Sequence, residues 1–168
     1  SIVSKLDDVT STFFSWINDT NKLSLNRLFY IGLRDLDSGE VETIKNKKIK
    51  SYFMEDVKNK GINNILSEIS NYIDRENIIR SDCSDKNTKI HLSLDVDSLD
   101  PSFMPSTGTS VENGLNLDEV KSIISHFKHS YCLKAIDLTE INLKIGSDED
   151  KNTTLNNSVE LVKHLCYH

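Results

Sequence analysis

The chain has 168 residues, 37% hydrophobic and 27% charged, with a formal net charge of −6. That is enough apolar material for one domain with a core, and it excludes a disordered chain. Charges of both signs are interspersed, which disfavours a nucleic-acid or anionic-membrane surface, and no apolar run approaches the about 20 residues that span a bilayer.

The first residues, SIVSKL, carry neither an initiator Met nor a charged-then-apolar leader, so the chain is expected to be part of something longer. Trp16 in FFSW reads as core, as do Cys132 and Cys166. RLFYIGL (Arg27–Leu33) is a short apolar, aromatic-rich run that reads as a buried strand. Ser38–Lys47 reads as a short exposed helix, and IKSYF (Ile49–Phe53) as a second strand. Ile65, Leu66, Ile69 and Ile73 recur at helical spacing and predict a helix over Asn63–Ile73. Asp74–Lys89 is polar without a clear period and reads as a surface loop.

IHLSLDV (Ile90–Val96) reads as a third strand. Val120, Ile123, Ile124 and Phe127 make Asp118–Phe127 an amphipathic helix. CLKAIDLTE (Cys132–Glu140) reads as a fourth strand and Thr154–Leu165 as a closing helix. Strand and helix thus alternate four times, with no internal repeat and no dividing linker. Successive apolar positions within the strands imply cover on both faces and a parallel α/β sheet. Cys83, Cys132 and Cys166 are an odd set without CxxC spacing. They read as reduced thiols of an intracellular protein, cytoplasmic or alternatively mitochondrial.

Ligands of parallel sheets bind beyond the carboxyl ends of the strands. Here those ends read RDLDSGE, DVDSLDP and DLTE, all acidic. Asp95 and Asp97, two apart on a strand, are expected on one face, where two carboxylates share a proton or hold a cation. Oxygen donors suit Mg²⁺, Ca²⁺ or Mn²⁺. An EF-hand is excluded, because Asp100 and Ser106 stand where its loop needs Gly and Glu, and a strand precedes the segment. The alternative is an Asp-rich turn in which the side chains cap local N–H groups. The following PSTGT (Pro105–Thr109) favours a ligand loop, since Gly108 lets the backbone approach a ligand.

His91 lies about 13 Å along an extended strand from Asp95, too far to share a metal with it. His126, His129, His164 and His168 read as surface or packing residues. RDLDSGE can equally be a solvated helix start, with Asp37 or Ser38 as N-cap and Glu40 in the first turn.

Together DVDSLDPSFMPSTGT, the NGL after it, YIGLRDLDSGE, the earlier FSW and the later DLTEIN resemble the arginases. These are ureohydrolases of the arginase–agmatinase superfamily, and the likeness runs from about Phe14 to the C-terminus. The resemblance implies a three-layer α-β-α fold with a parallel sheet, about four strands here against about eight in the family. It also implies hydrolysis of L-arginine to L-ornithine and urea at a binuclear Mn²⁺ centre, in a family that forms trimers. By motif, Asp95 would bridge both metals and Asp97 would chelate one. Glu140 would pair with the guanidinium, Asp37 would receive the α-amino group with Glu40 nearby, and Thr109 would line the substrate pocket.

Several features depart from that pattern. The family's GGDH and HADxHxD stretches, which supply the remaining metal ligands including both histidines, do not occur. The proton-shuttling histidine belongs to the same absent half. ENGL (Glu112–Leu115) replaces a double glycine, INL (Ile141–Leu143) replaces Asn-Pro, and Asp118 stands where many arginases carry a trimer-contact arginine. The expectation is a C-terminal half of one arginase-like domain over residues 1–168, inactive alone. The alternatives are a non-catalytic structural or regulatory subunit, and an agmatinase or other guanidino-compound ureohydrolase.

Overall fold

The computed structural model describes residues 23–79 and 88–167. Phe13–Trp16, Cys83, His168 and part of the expected Asp74–Lys89 loop lie outside the described residues. Contacts divide the chain into two compact units, Ser1–Phe53 and Met54–His168.

In the first unit, a 3-10 turn (Leu25–Arg27) leads into β1 (Phe29–Leu33), followed by α1 (Ser38–Lys47) and β2 (Lys50–Phe53). The two strands pair in parallel, from Phe29 opposite Lys50 to Leu33 opposite Phe53, with a bulge at Gly32. Gly32 has φ +86°, a left-handed conformation that costs a glycine little. The expected helix starts and ends where its local signals place it. Asp37 caps it, Lys45 and Lys47 lie in its last turn, and Lys48 closes it in a left-handed conformation.

The second unit contains α2 (Met54–Lys60), α3 (Ile62–Ile79), β3 (Lys89–Asp95), a 3-10 turn (Val96–Ser98), α4 (Leu117–Ser130), β4 (Cys132–Thr139) and α5 (Asp148–Tyr167). α2 was not expected, and α3 continues through Asp74–Ile79, where a loop was expected. α5 begins six residues before the apolar signal because Ser147 and Asp150 cap each other reciprocally. The Asp150 Oδ2 accepts from Ser147 N at 2.8 Å, and Asp150 N donates to Ser147 Oγ at 3.2 Å.

β3 and β4 pair in parallel from Lys89 opposite Cys132 to Asp95 opposite Thr139. Among the described residues the four strands therefore form two parallel pairs. The core of this unit is helical. Ile65, Leu66 and Ile69 of α3 and Val120, Ile124 and Phe127 of α4 are buried, and Leu161 of α5 closes it. α4 contacts α3, α5 and β4. β3 alternates rather than being apolar throughout: Leu94 is buried while His91 and Ser93 are exposed. An apolar stripe on α5 (Leu155, Val159 and Val162) is exposed as well.

Two Ser–His pairs tie the helices together. Ser70 Oγ of α3 lies 2.8 Å from His126 Nε2 of α4, and Ser125 Oγ of α4 lies 2.7 Å from His164 Nε2 of α5. These histidines are packing residues, as expected. His126 sits edge-on to Phe127 at 5.3 Å, and burial lowers its pKa. The folded state therefore binds fewer protons here than the unfolded chain, whose histidines titrate near about 6.5. This contribution is fully present above that value and is lost as pH falls through the folded value. The thermal midpoint is expected to drop below about pH 6.5, and less steeply in His126→Gln, which cannot titrate. Identical slopes in the two proteins would show that His126 plays no part.

Candidate carboxylate site at the ends of the strands

The β3–β4 ladder stops at Asp95 and Thr139, and the chemistry-bearing loops leave from there. Asp95 is the last strand residue, and its Oδ1 accepts from Asp97 N at 3.2 Å. Asp97 lies in the 3-10 turn, not on the strand, so the two-apart rule does not put it on a common strand face with Asp95. Proximity through the turn brings the two residues together instead.

Asp100, the third member of the cluster, is a loop cap. Its Oδ1 accepts from Ser102 Oγ at 2.7 Å and from Ser102 N at 3.1 Å, and its Oδ2 from Asn113 N at 2.7 Å. The Ser102 hydroxyl, then the backbone N–H groups of Ser102, Asn113 and Gly114, hold its pKa below the usual carboxylate range. The Asp-rich turn is thus real for Asp100, while Asp95 keeps an oxygen outside the Asp97 bond.

Asn113 explains the departure ENGL. It occupies the left-handed region at φ +66°, which asparagine tolerates better than most residues and glycine best. Gly114 beside it does not have a left-handed φ. Its requirement is close approach, because a Cβ there would lie 2.5 Å from Asp100 N and from Leu99 C.

Glu140 follows β4 directly and has φ +63°, a conformation that costs a residue with a Cβ about 1–2 kcal/mol. The PSTGT loop runs beside it. Thr107 bridges Ile141 in antiparallel fashion, and the Thr107 hydroxyl donates to the Glu140 carbonyl at 2.9 Å. A Cβ on Gly108 would stand 3.4 Å from Glu140 Oε2. Thr109, next in the chain, is exposed. The structure therefore brings the Gly108 segment of the signature to the Glu140 carboxylate. Ser106 and Thr107 lie in the loop singled out from sequence, but their bonds to Thr154 and to the Glu140 carbonyl, which fix this arrangement, were not foreseen.

His91 and Ser93 also gained a partner that sequence spacing did not suggest. Asp137 accepts from Ser93 Oγ at 2.7 Å and lies 2.5 Å from His91 Nε2. Ser93, then His91, lowers its pKa. The parallel register, with Ser93 opposite Asp137, is the signal that could have found it.

In the other unit Asp37 and Glu40 form a reciprocal capping box. Glu40 N donates to Asp37 Oδ1 at 2.8 Å and Asp37 N to Glu40 Oε2 at 3.0 Å. The alternative of a solvated helix start is thus what this stretch does structurally, using one oxygen of each carboxylate and leaving both side chains exposed.

Carboxylate donors suit a hard divalent cation. Among the described residues, however, no three His, Cys, Asp or Glu side chains are gathered to hold one. The two free thiols among the described residues are not the core residues expected. Cys132, at the start of β4, is half-buried and Cys166, in the last turn of α5, is exposed, and neither adds to a ligand cluster. No helix among the described residues is long and apolar enough to cross a membrane.

Comparison with known proteins agrees with these motifs. The Arginase family profile matches residues 7–167. An arginase of Neurospora crassa is 37% identical over 138 residues, which are 82% of this chain and 36% of that protein. Arginase-1 of Homo sapiens is 34% identical over 163 residues, 97% of this chain and 47% of that one. The native arginase structure from Bacillus caldovelox superposes with a TM-score of 0.73 at 28% identity, covering 88% of this chain and 45% of that chain. The chain spans less than half the length of these relatives. With the profile spanning nearly all of it and the strand-end motifs in order, the chain belongs to the arginase family.

Proposed function

We propose that the chain supplies one part of an arginase-type ureohydrolase that converts L-arginine to L-ornithine and urea. Residues 1–168 would be the C-terminal half of a single domain, completed by polypeptide beyond them. The observation that carries this reading is the placement of Glu140. Its carboxylate lies at the carboxyl end of β4, beside Gly108 and one residue beyond the Asp95–Thr139 pair. A carboxylate is the natural partner of a planar guanidinium, which it can meet with two parallel hydrogen bonds.

Asp95 and Asp97 would hold Mn²⁺, with the other ligands, including histidines, coming from outside these residues. Such ions lower the pKa of bound water and polarise the reacting carbon. Glu140 would fix the guanidinium, Thr109 would line the pocket, and the remaining oxygens of Asp37 and Glu40 would serve the α-amino group. A homotrimer, the family's assembly, is proposed without the Asp118 position's usual arginine. Asp118 instead lies 3.8 Å from Lys121 on its own helix.

The 168-residue chain alone is expected to bind Mn²⁺ weakly and to release no urea from arginine, while the complete protein does both. Urea production by the isolated chain would overturn the two-part reading. An inactive complete protein would favour a non-catalytic subunit. The capping box leaves one oxygen on each of Asp37 and Glu40, so arginine is preferred over a substrate lacking the α-amino group. Faster turnover of agmatine than of arginine would overturn that preference.

A further inference from the structure

We propose that Thr107 is a positioning residue for Glu140, holding the backbone from which its carboxylate reaches the guanidinium. The inference rests on the assignment of Glu140 as the guanidinium partner and goes beyond it.

A left-handed glutamate at the end of a strand does not hold itself there. The β3–β4 ladder ends one residue earlier, at Thr139, and cannot fix it. What fixes it is the neighbouring loop. The Thr107 hydroxyl, on a residue only 3% exposed, donates to the Glu140 carbonyl. The next links run through Ser106: its carbonyl accepts from Asn142 N at 3.0 Å, and its hydroxyl donates to the Ile145 carbonyl at 2.8 Å. Ser106 N in turn donates to Thr154 Oγ1 of α5 at 2.9 Å, and Ser106 and Thr154 are fully buried. The loop after Glu140 is thus bracketed from Thr107 to α5.

The bracket fixes the backbone from which the exposed Glu140 side chain leaves. The left-handed turn brings Glu140 Oε2 to contact distance of the position a side chain at 108 would take. Thr107 sets the backbone and Gly108 leaves the carboxylate uncovered. Bidentate recognition of a planar cation depends on direction as well as distance, so a small rotation of Glu140 should be felt by substrate.

The test uses the complete protein. Thr107→Val keeps the shape and removes the donor, and is expected to lower kcat/KM for arginine by about 10-fold. Thr107→Ser, which restores the donor, should recover most of it. In a Glu140→Gln background, Thr107→Val should cause no further loss, since the two residues act as one unit. Multiplicative losses, or a fully active Thr107→Val beside an inactive Glu140→Gln, would remove the positioning role alone. Full turnover by Glu140→Gln would remove the guanidinium assignment and the positioning role together. Should Thr107→Val not fold, Thr107→Ala compared with Thr107→Ser serves instead. The serine, which keeps the donor to the Glu140 carbonyl, should retain the kcat/KM that the alanine loses, and equal kinetics would overturn the proposal.

Discussion

Gly114→Ala is expected to destabilise the protein by about 3 kcal/mol or more. The added methyl would fall 2.5 Å from Asp100 N and Leu99 C and 2.7 Å from Leu99 O, all backbone atoms that cannot swing aside. The two segments would have to separate. That would break Asp100 N to Leu115 O and Leu115 N to Ser98 O, each 2.9 Å, and draw Asn113 N away from Asp100 Oδ2. Asn113→Gly at the adjacent position should change stability by less than about 0.5 kcal/mol. It keeps the backbone donor and relieves the left-handed φ, losing only the exposed bond from Lys58 Nζ. Denaturant midpoints of the two variants check the contrast. Equal midpoints would mean that position 114 is not closely packed.

Asp95→Asn in the complete protein should lower Mn²⁺ affinity by more than about 100-fold, beyond the range for groups that only support a ligand, and abolish urea release. Asp100→Asn should leave metal content unchanged while costing about 1–3 kcal/mol of stability, because its carboxylate serves Ser102 and Asn113. Metal analysis beside thermal unfolding separates the two. A wild-type metal content in Asp95→Asn would remove Asp95 from the proposed centre.

What the sequence reveals follows how local each signal is. α1 is legible because its cap, Asp37, and the partner Glu40 lie three residues apart and the two basic residues close its last turn. α4 is legible for the same reason, with Asn116 and Glu119 closing a second capping box before the apolar stripe. The extension of α3 past Ile73 is hidden because Asp74, Arg75 and Glu76 are charged, and charge alone does not distinguish a helix face from a loop. Asp74 nonetheless accepts from the Tyr131 hydroxyl at 3.2 Å. The strand-end carboxylates stand out in any reading of the chain. The bracket of Thr107 and Ser106 around residues 140–145 does not, since no period connects positions 107, 140 and 154. Only the register of β3 with β4 places those loops side by side.

The two strand pairs also differ in when they can form. β1 meets β2 across one short helix, Phe29 opposite Lys50, whereas β3 must wait for all of α4 before Lys89 finds Cys132. Closing the longer loop is entropically dearer and slower. A chain leaving the ribosome therefore holds the apolar side of β3, Ile90, Leu92 and Leu94, without its partner strand until Cys132–Thr139 has emerged. During that interval Asp95 and Glu140 are not yet neighbours in any sense. The strand end that gathers the carboxylates is among the last parts of the unit to be assembled.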